Sequence, residues 1–150
     1  MTDAERVLRL VAGTLAVVVA ALHAYWALPD IARQLSVWQF PDPRPAAFLL
    51  ATFAILMGIA LVVQGFDPVP VYVGGIALML VFLGGYAAWH TVLDHGAFWP
   101  GRHAHGHDAP AVAVVLGHLS ADPFALVSKL TELALLAVLG VLTAIEFRSR

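Results

Sequence analysis

The sequence predicts an all-α fold, an up-down bundle of four transmembrane helices with a short interfacial segment before the last one. Three observations predict it. Leu10–Leu28, Ala46–Val63 and Val71–Trp89 contain no charged residue, and Phe124–Phe147 carries only Lys129, Glu132 and Glu146. Each stretch is about 18–24 residues long, which at ~1.5 Å per residue crosses a ~30 Å hydrocarbon core. Hydrophobic residues make up 61% of the chain and charged residues 12%, where soluble domains run near ~45–50% and ~25%. A water-soluble chain of this size could not hide that much apolar surface. Four spans use most of residues 1–150, so a single integral membrane domain is expected.

The first helix is expected from about Val7 to Leu28. Arg6 and Arg9 precede an apolar run, as in a signal peptide, but the run has full span length and Tyr25-Trp26-Ala27-Leu28-Pro29 is a poor cleavage site. The run therefore reads as a retained helix. Ala16, Ala20 and Ala24 repeat at four-residue spacing and invite close approach of a neighbour. Pro29 is expected to end the helix. The segment from Pro29 to Pro45 then reads as a loop, in which Ile31–Trp38 can form a short surface helix, with Trp38 and Phe40 suited to the headgroup layer.

The second helix is expected over Pro45–Val63 and the third over Val69–Leu93. Their short connector, Gln64–Pro70, forces an antiparallel hairpin. Gly74-Gly75 and Gly84-Gly85 leave small-residue grooves on the third helix. A histidine-rich segment follows, in which Ala109–Ala121 is apolar but too short to span. Asp122 as N-cap with Pro123 at the first helical position starts the last helix, 123–147.

Sidedness follows from basic residues. Arg6, Arg9, Arg148 and Arg150 fall on one side, and Arg33, Arg44 and Arg102 on the other, in longer loops. The higher basic density of the short segments favours both termini in the cytoplasm and the histidines outside. The partner so defined is the lipid bilayer, with a second copy or a membrane-complex subunit left open. The formal net charge of -2 and the lack of a Lys/Arg cluster argue against nucleic acid. The chain has no cysteine, which excludes disulfides, thiol redox chemistry, Fe–S clusters and thiolate metal sites.

Bundle parity brings the chemistry together. The end of the first helix, the start of the second, the end of the third and the start of the fourth must share one side. These places hold His23, Tyr25 and Trp26; Phe40; Tyr86, Trp89, His90, Asp94 and His95; and Asp122, Ser128, Lys129 and Glu132. The opposite halves of the helices are almost purely aliphatic. Ionisable groups within a span are costly and commonly functional, which makes His23, Tyr25, Tyr86, Lys129 and Glu132 candidates for a ligand or proton-relay site. Simpler alternatives stand beside each one. His23 can be an interfacial histidine bonded to a carbonyl, and Tyr86 with His90 can belong to an aromatic belt. Lys129 and Glu132, three residues apart, can be a structural ion pair, or Glu132 can meet His23 or His90 in a site for a metal, a proton or a polar headgroup.

The metal candidates are His90, Asp94, His95, His103, His105 and His107. Tyr86, His90 and Asp94 lie four residues apart and share one face if the third helix continues that far. Asp94 can then orient the His90 ring or join it as a ligand. His103-Ala-His105-Gly-His107 places alternate side chains on one side if extended. Imidazoles without thiolates suit zinc or copper, although such loops also occur as solvated linkers. Haem ligated by His23 and His90 is conceivable, but two such histidines are expected by chance in a chain with seven.

Leu22-His23-Ala24-Tyr25-Trp26-Ala27-Leu28 resembles the start of an uncharacterised family of small four-helix prokaryotic integral membrane proteins, a domain of unknown function with an N-terminal Leu-His-x-Tyr-Trp-Ala-Leu box. The family box usually continues into glycines, whereas here it meets Pro29-Asp30. The resemblance implies the fold and draws attention to His23, Tyr25 and Trp26; it supplies no reaction or ligand.

Together these features point to an integral membrane protein with a histidine-rich site for a metal or small ligand at its outer face. Two alternatives remain at this level: a non-enzymatic subunit or scaffold of a membrane complex, and a lipid- or quinone-acting enzyme or transporter. No catalytic motif marks the chain as an enzyme.

Overall fold

The computed structural model describes residues 3–39, 42–96, 106 and 109–149. Among these, all regular structure is helical: α1 (Asp3–Val37), α2 (Arg44–Val63), α3 (Pro68–His90), α4 (Ala111–Ala121) and α5 (Pro123–Arg148), with one 3-10 turn at Asp94–Gly96. Helices α1, α2, α3 and α5 are long and apolar enough to cross a membrane; α4 is a shorter apolar helix. The chain is a multi-pass membrane protein by this measure.

Local chemistry sets the helix starts. Pro45 stands in the first turn of α2, where its missing amide hydrogen is no loss. Asp67 caps α3 by accepting from the Val69 amide at 3.1 Å, with Pro68 behind it. Asp122 caps α5 through the amides of Phe124 (2.9 Å) and Ala125 (3.1 Å), with Pro123 at the first helical position. Gly65, at φ 86°, turns the chain between α2 and α3.

Helix α1 packs mainly on α2 and α5, and α3 packs mainly on α5; the α2–α3 seam is looser. A cavity of about 650 Å³ opens along that seam, bordered by Ala16, Ala54, Gly58, Gly74 and Leu78. The core is aliphatic in its middle, where Val19, Met79, Leu135, Leu139 and Leu142 are buried against one another. The outward positions are equally apolar, as Leu50, Phe53, Val81 and Leu130 show. An apolar exterior around an apolar core is what hydrocarbon as solvent demands, and it leaves close packing and polar contacts to hold the helices together.

Two expectations need correction, at Pro29 and at the end of the third helix. Pro29 does not end the first helix. It sits inside α1, which runs on to Val37 and is about 52 Å long at ~1.5 Å per residue. A proline deletes one amide donor, the one aimed at the Tyr25 carbonyl. The turns beyond it are held by Gln34, which is buried and donates to the Asp42 carbonyl at 3.1 Å.

The third helix stops at His90, three residues short of expectation. The Thr91 hydroxyl donates to the Ala87 carbonyl (2.6 Å), and the Leu93 amide to that of Ala88 (2.8 Å), so the last carbonyls find partners outside the helical ladder. Asp94 and His95 then take left-handed backbone, φ 39° and 55°. The shared helical face of Tyr86, His90 and Asp94 therefore does not form beyond His90.

The end opposite the histidines is not purely aliphatic at its rim. Arg9 of α1 is ion-paired with Glu146 of α5 and with Glu5 (3.1 Å). Of the paired glycines on α3, only Gly75 makes a close approach, since a Cβ there would stand 2.8 Å from Leu139 Cδ1. At Gly74, Gly84 and Gly85 a Cβ would meet nothing within 4 Å.

Candidate functional site

The histidine end is built from three elements. His90 is the last residue of α3, His95 lies in the 3-10 turn, and His118 is in the last turn of α4. The left-handed pair at Asp94 and His95 reverses the chain and lays His95 back over His90. Its Nε2 then lies 2.9 Å from His90 Nδ1. His118 completes the group, with its ring centroid 4.2 Å from that of His90 and 5.1 Å from that of His95. Each imidazole offers one nitrogen such that all three lie within 4.8 Å of one another.

Hydrogen bonding fixes which nitrogen of His118 faces the group. His118 Nδ1 is 2.9 Å from the Val114 carbonyl, which can only accept; Nδ1 therefore carries the hydrogen and Nε2 presents a lone pair. His95 Nδ1 lies 3.6 Å from Asp94 Oδ1, close enough for charge attraction and too long for a hydrogen bond, so the carboxylate stands beside the ring without fixing its tautomer. Asp94 also accepts from the Gly106 amide at 3.1 Å. Asp94 thus lies beside His95 and not on the helical face with His90.

A tetrahedral zinc ion with Zn–N bonds of ~2.0–2.1 Å holds its nitrogens about 3.3 Å apart. The present separations bracket that value, 2.9 Å at the shortest and 4.8 Å at the outer limit. Binding would open the His90–His95 contact slightly and draw the remaining nitrogens inward.

A second polar group lies deeper. Ser128, Lys129 and Glu132 of α5 face His23 of α1, and all four are buried. Lys129 Nζ is 2.7 Å from each Glu132 oxygen, Ser128 Oγ donates to Oε1 at 3.1 Å, and His23 Nε2 lies 3.3 Å from Oε1. The other His23 nitrogen, Nδ1, meets the Val19 carbonyl at 2.8 Å. Aromatic rings enclose the group. His23 stacks on Phe82 at 4.1 Å and meets Phe48 edge-on at 5.0 Å, and Lys129 Nζ stands 5.3 Å from the centre of the Tyr86 ring. Tyr86 in turn lies 4.4 Å from the His90 ring, so one side chain separates the two polar groups.

The structure brings His90 and His95 together, and His23 together with Lys129 and Glu132. His23 and His90 do not converge on a common point, as haem would need, because each is engaged by different partners. Tyr25 stays outside both groups. Two residues beyond His23 on a helix it points to the far side, where it is exposed and lies near Phe124. His103, His105 and His107, like Phe40, lie outside the described residues. His118 is the functional candidate that sequence reasoning missed. Its signal was a lone imidazole one turn before the Asp122 cap, on the side to which parity assigns the other histidines.

The same end carries Arg44, clamped by Asp42 and laid over the Trp89 ring at 3.8 Å, which ties the start of α2 to the end of α3. Fold and site together define a multi-pass membrane protein with a three-histidine cluster at one end of its bundle. The chain matches no family model, and neither a curated protein nor a solved structure matches it.

Proposed function

We propose that this protein binds one divalent transition metal ion, zinc or copper, at the outer face of the membrane through His90, His95 and His118. The observation that carries this reading is the meeting of three imidazole nitrogens within 4.8 Å from three separate elements. Imidazole is a favoured ligand for both ions. One feature supports a built site over a chance belt of aromatic residues: the Val114 carbonyl sets the His118 tautomer, as outer partners do at metal centres. Three nitrogen donors leave a fourth position for water or an incoming donor. His103, His105 and His107 then serve as a capture loop feeding the site.

Zinc titration of the purified protein in detergent, in competition with a chelating indicator, tests the reading. A variant with His103, His105 and His107 all replaced by Ala is expected to retain one ion per chain, and His118→Ala is expected to lose it. The opposite pattern, binding abolished by the loop changes and untouched by His118→Ala, would overturn it.

A further inference from the structure

We propose that His23 and Glu132 hold a proton between them, so that the buried His23–Glu132–Lys129 cluster is a proton-binding site in its own right. The argument is one of hydrogen-bond polarity. The Val19 carbonyl at 2.8 Å can only accept, so His23 Nδ1 carries a hydrogen. A neutral imidazole then has a bare lone pair on Nε2. That nitrogen faces Glu132 Oε1 at 3.3 Å. With Glu132 ionised, two acceptors would confront each other in a site where both residues are at most 5% exposed. In a dry interior such a contact is repulsive, and unmatched polar groups are expensive. One proton taken up from water removes the conflict, whether it rests on Nε2 as an imidazolium or on Glu132 as a carboxylic acid.

The surroundings favour the added positive charge. His23 stacks on Phe82, and Lys129 Nζ stands 5.9 Å from the centre of the Phe82 ring and 5.3 Å from that of Tyr86. Aromatic faces attract cations, and here they enclose a group with two cationic members and one carboxylate. Helix α1 supplies His23, and α2 supplies Phe48 and Thr52, whose hydroxyl donates to the Phe48 carbonyl at 2.9 Å. Helix α3 supplies Phe82 and Tyr86, and α5 supplies Ser128, Lys129 and Glu132. Toward the opposite end the described buried core residues are apolar, Ala12, Val19, Ala51, Met79, Leu135, Leu139 and Leu142, with no titratable side chain among them before Tyr72. The proton is therefore held, not passed across.

Solid-state NMR of the metal-free protein in lipid bilayers, with nitrogen-15 in histidine and carbon-13 in glutamate, tests the proposal at pH 7.5. The expected spectrum has either a doubly protonated His23 ring or a protonated Glu132 carboxyl. His23 with a bare, unshared Nε2 beside an ionised Glu132 would overturn it. Glu132→Gln supplies an amide donor to Nε2 and should return His23 to a neutral ring that keeps its Nδ1 hydrogen; the wild-type spectrum decides the matter if that variant does not fold. His118→Ala should leave the His23 and Glu132 signals unchanged, so the result stands or falls separately from metal binding.

Discussion

His23, Ser128, Lys129 and Glu132 sit inside the bundle and bind one another, whereas His90, His95 and His118 sit at its end and turn one nitrogen each toward a common point. Three members of the inner group come from less than one and a half turns of α5, so their pairing forms with the helix itself. The outer group draws on two helices and a turn and exists only once the chain has folded. Position explains the contrast. Deep in hydrocarbon an unmatched charge is worth several kcal/mol, so a locally guaranteed partner is favoured. Near the membrane surface water can stand in for a partner, and residues can be arranged for a ligand. The inner group should therefore govern stability and the outer group binding.

The sharpest way to break this division is Glu132→Ala. It strands the Lys129 ammonium and is expected to lower bundle stability by about 3–5 kcal/mol, measured by unfolding in mixed micelles; a loss below about 1 kcal/mol would make the inner group dispensable. His118→Ala should reduce zinc affinity at least about 100-fold, and Asp94→Ala, which removes a carboxylate beside His95 and its bond to the Gly106 amide, about tenfold. Neither should reproduce the unfolding seen for Glu132→Ala, and a thermal melt without metal checks this. Two changes away from both groups calibrate the scale. Gly75→Val forces a side chain into Leu139 and should cost about 1–3 kcal/mol. Glu146→Gln weakens the partly exposed pair with Arg9 at the opposite rim and should cost about 0.5–1 kcal/mol in the same unfolding assay.

The four spans were legible because the absence of charge over a membrane thickness is a strong signal, and the Asp122-Pro123 start of α5 because it is written in two adjacent residues. Bundle parity put His23 and Glu132 on one side and left their meeting as one of several alternatives, which the structure resolves at 3.3 Å. What stayed hidden depended on short irregular backbone. Thr91 and Val92 are weak helix terminators by type, so nothing in the sequence announced that α3 would stop at His90. The reversal at Asp94 and His95 is harder still to foresee, since neither residue is a glycine. His118 was obscured for a related reason. Its segment is apolar and short, and only the contact of α4 with the end of α3 in the folded chain brings the ring to His90. Pro29 misled in the other direction, because a tertiary contact at Gln34 outweighs a local preference to end the helix.

The two successive left-handed residues at Asp94 and His95 have a consequence for how an ion would be received. Such backbone is disfavoured for side chains with a Cβ by roughly 1–2 kcal/mol per residue, so relaxation of this corner is a standing tendency. Two of the three nitrogens are nonetheless already side by side before any ion arrives, and the ordering entropy is met during folding rather than on encounter. Glycine at position 94 would ease the corner and delete the carboxylate bonded to the Gly106 amide at once, so the strain is relieved while His95 is left less firmly laid against His90.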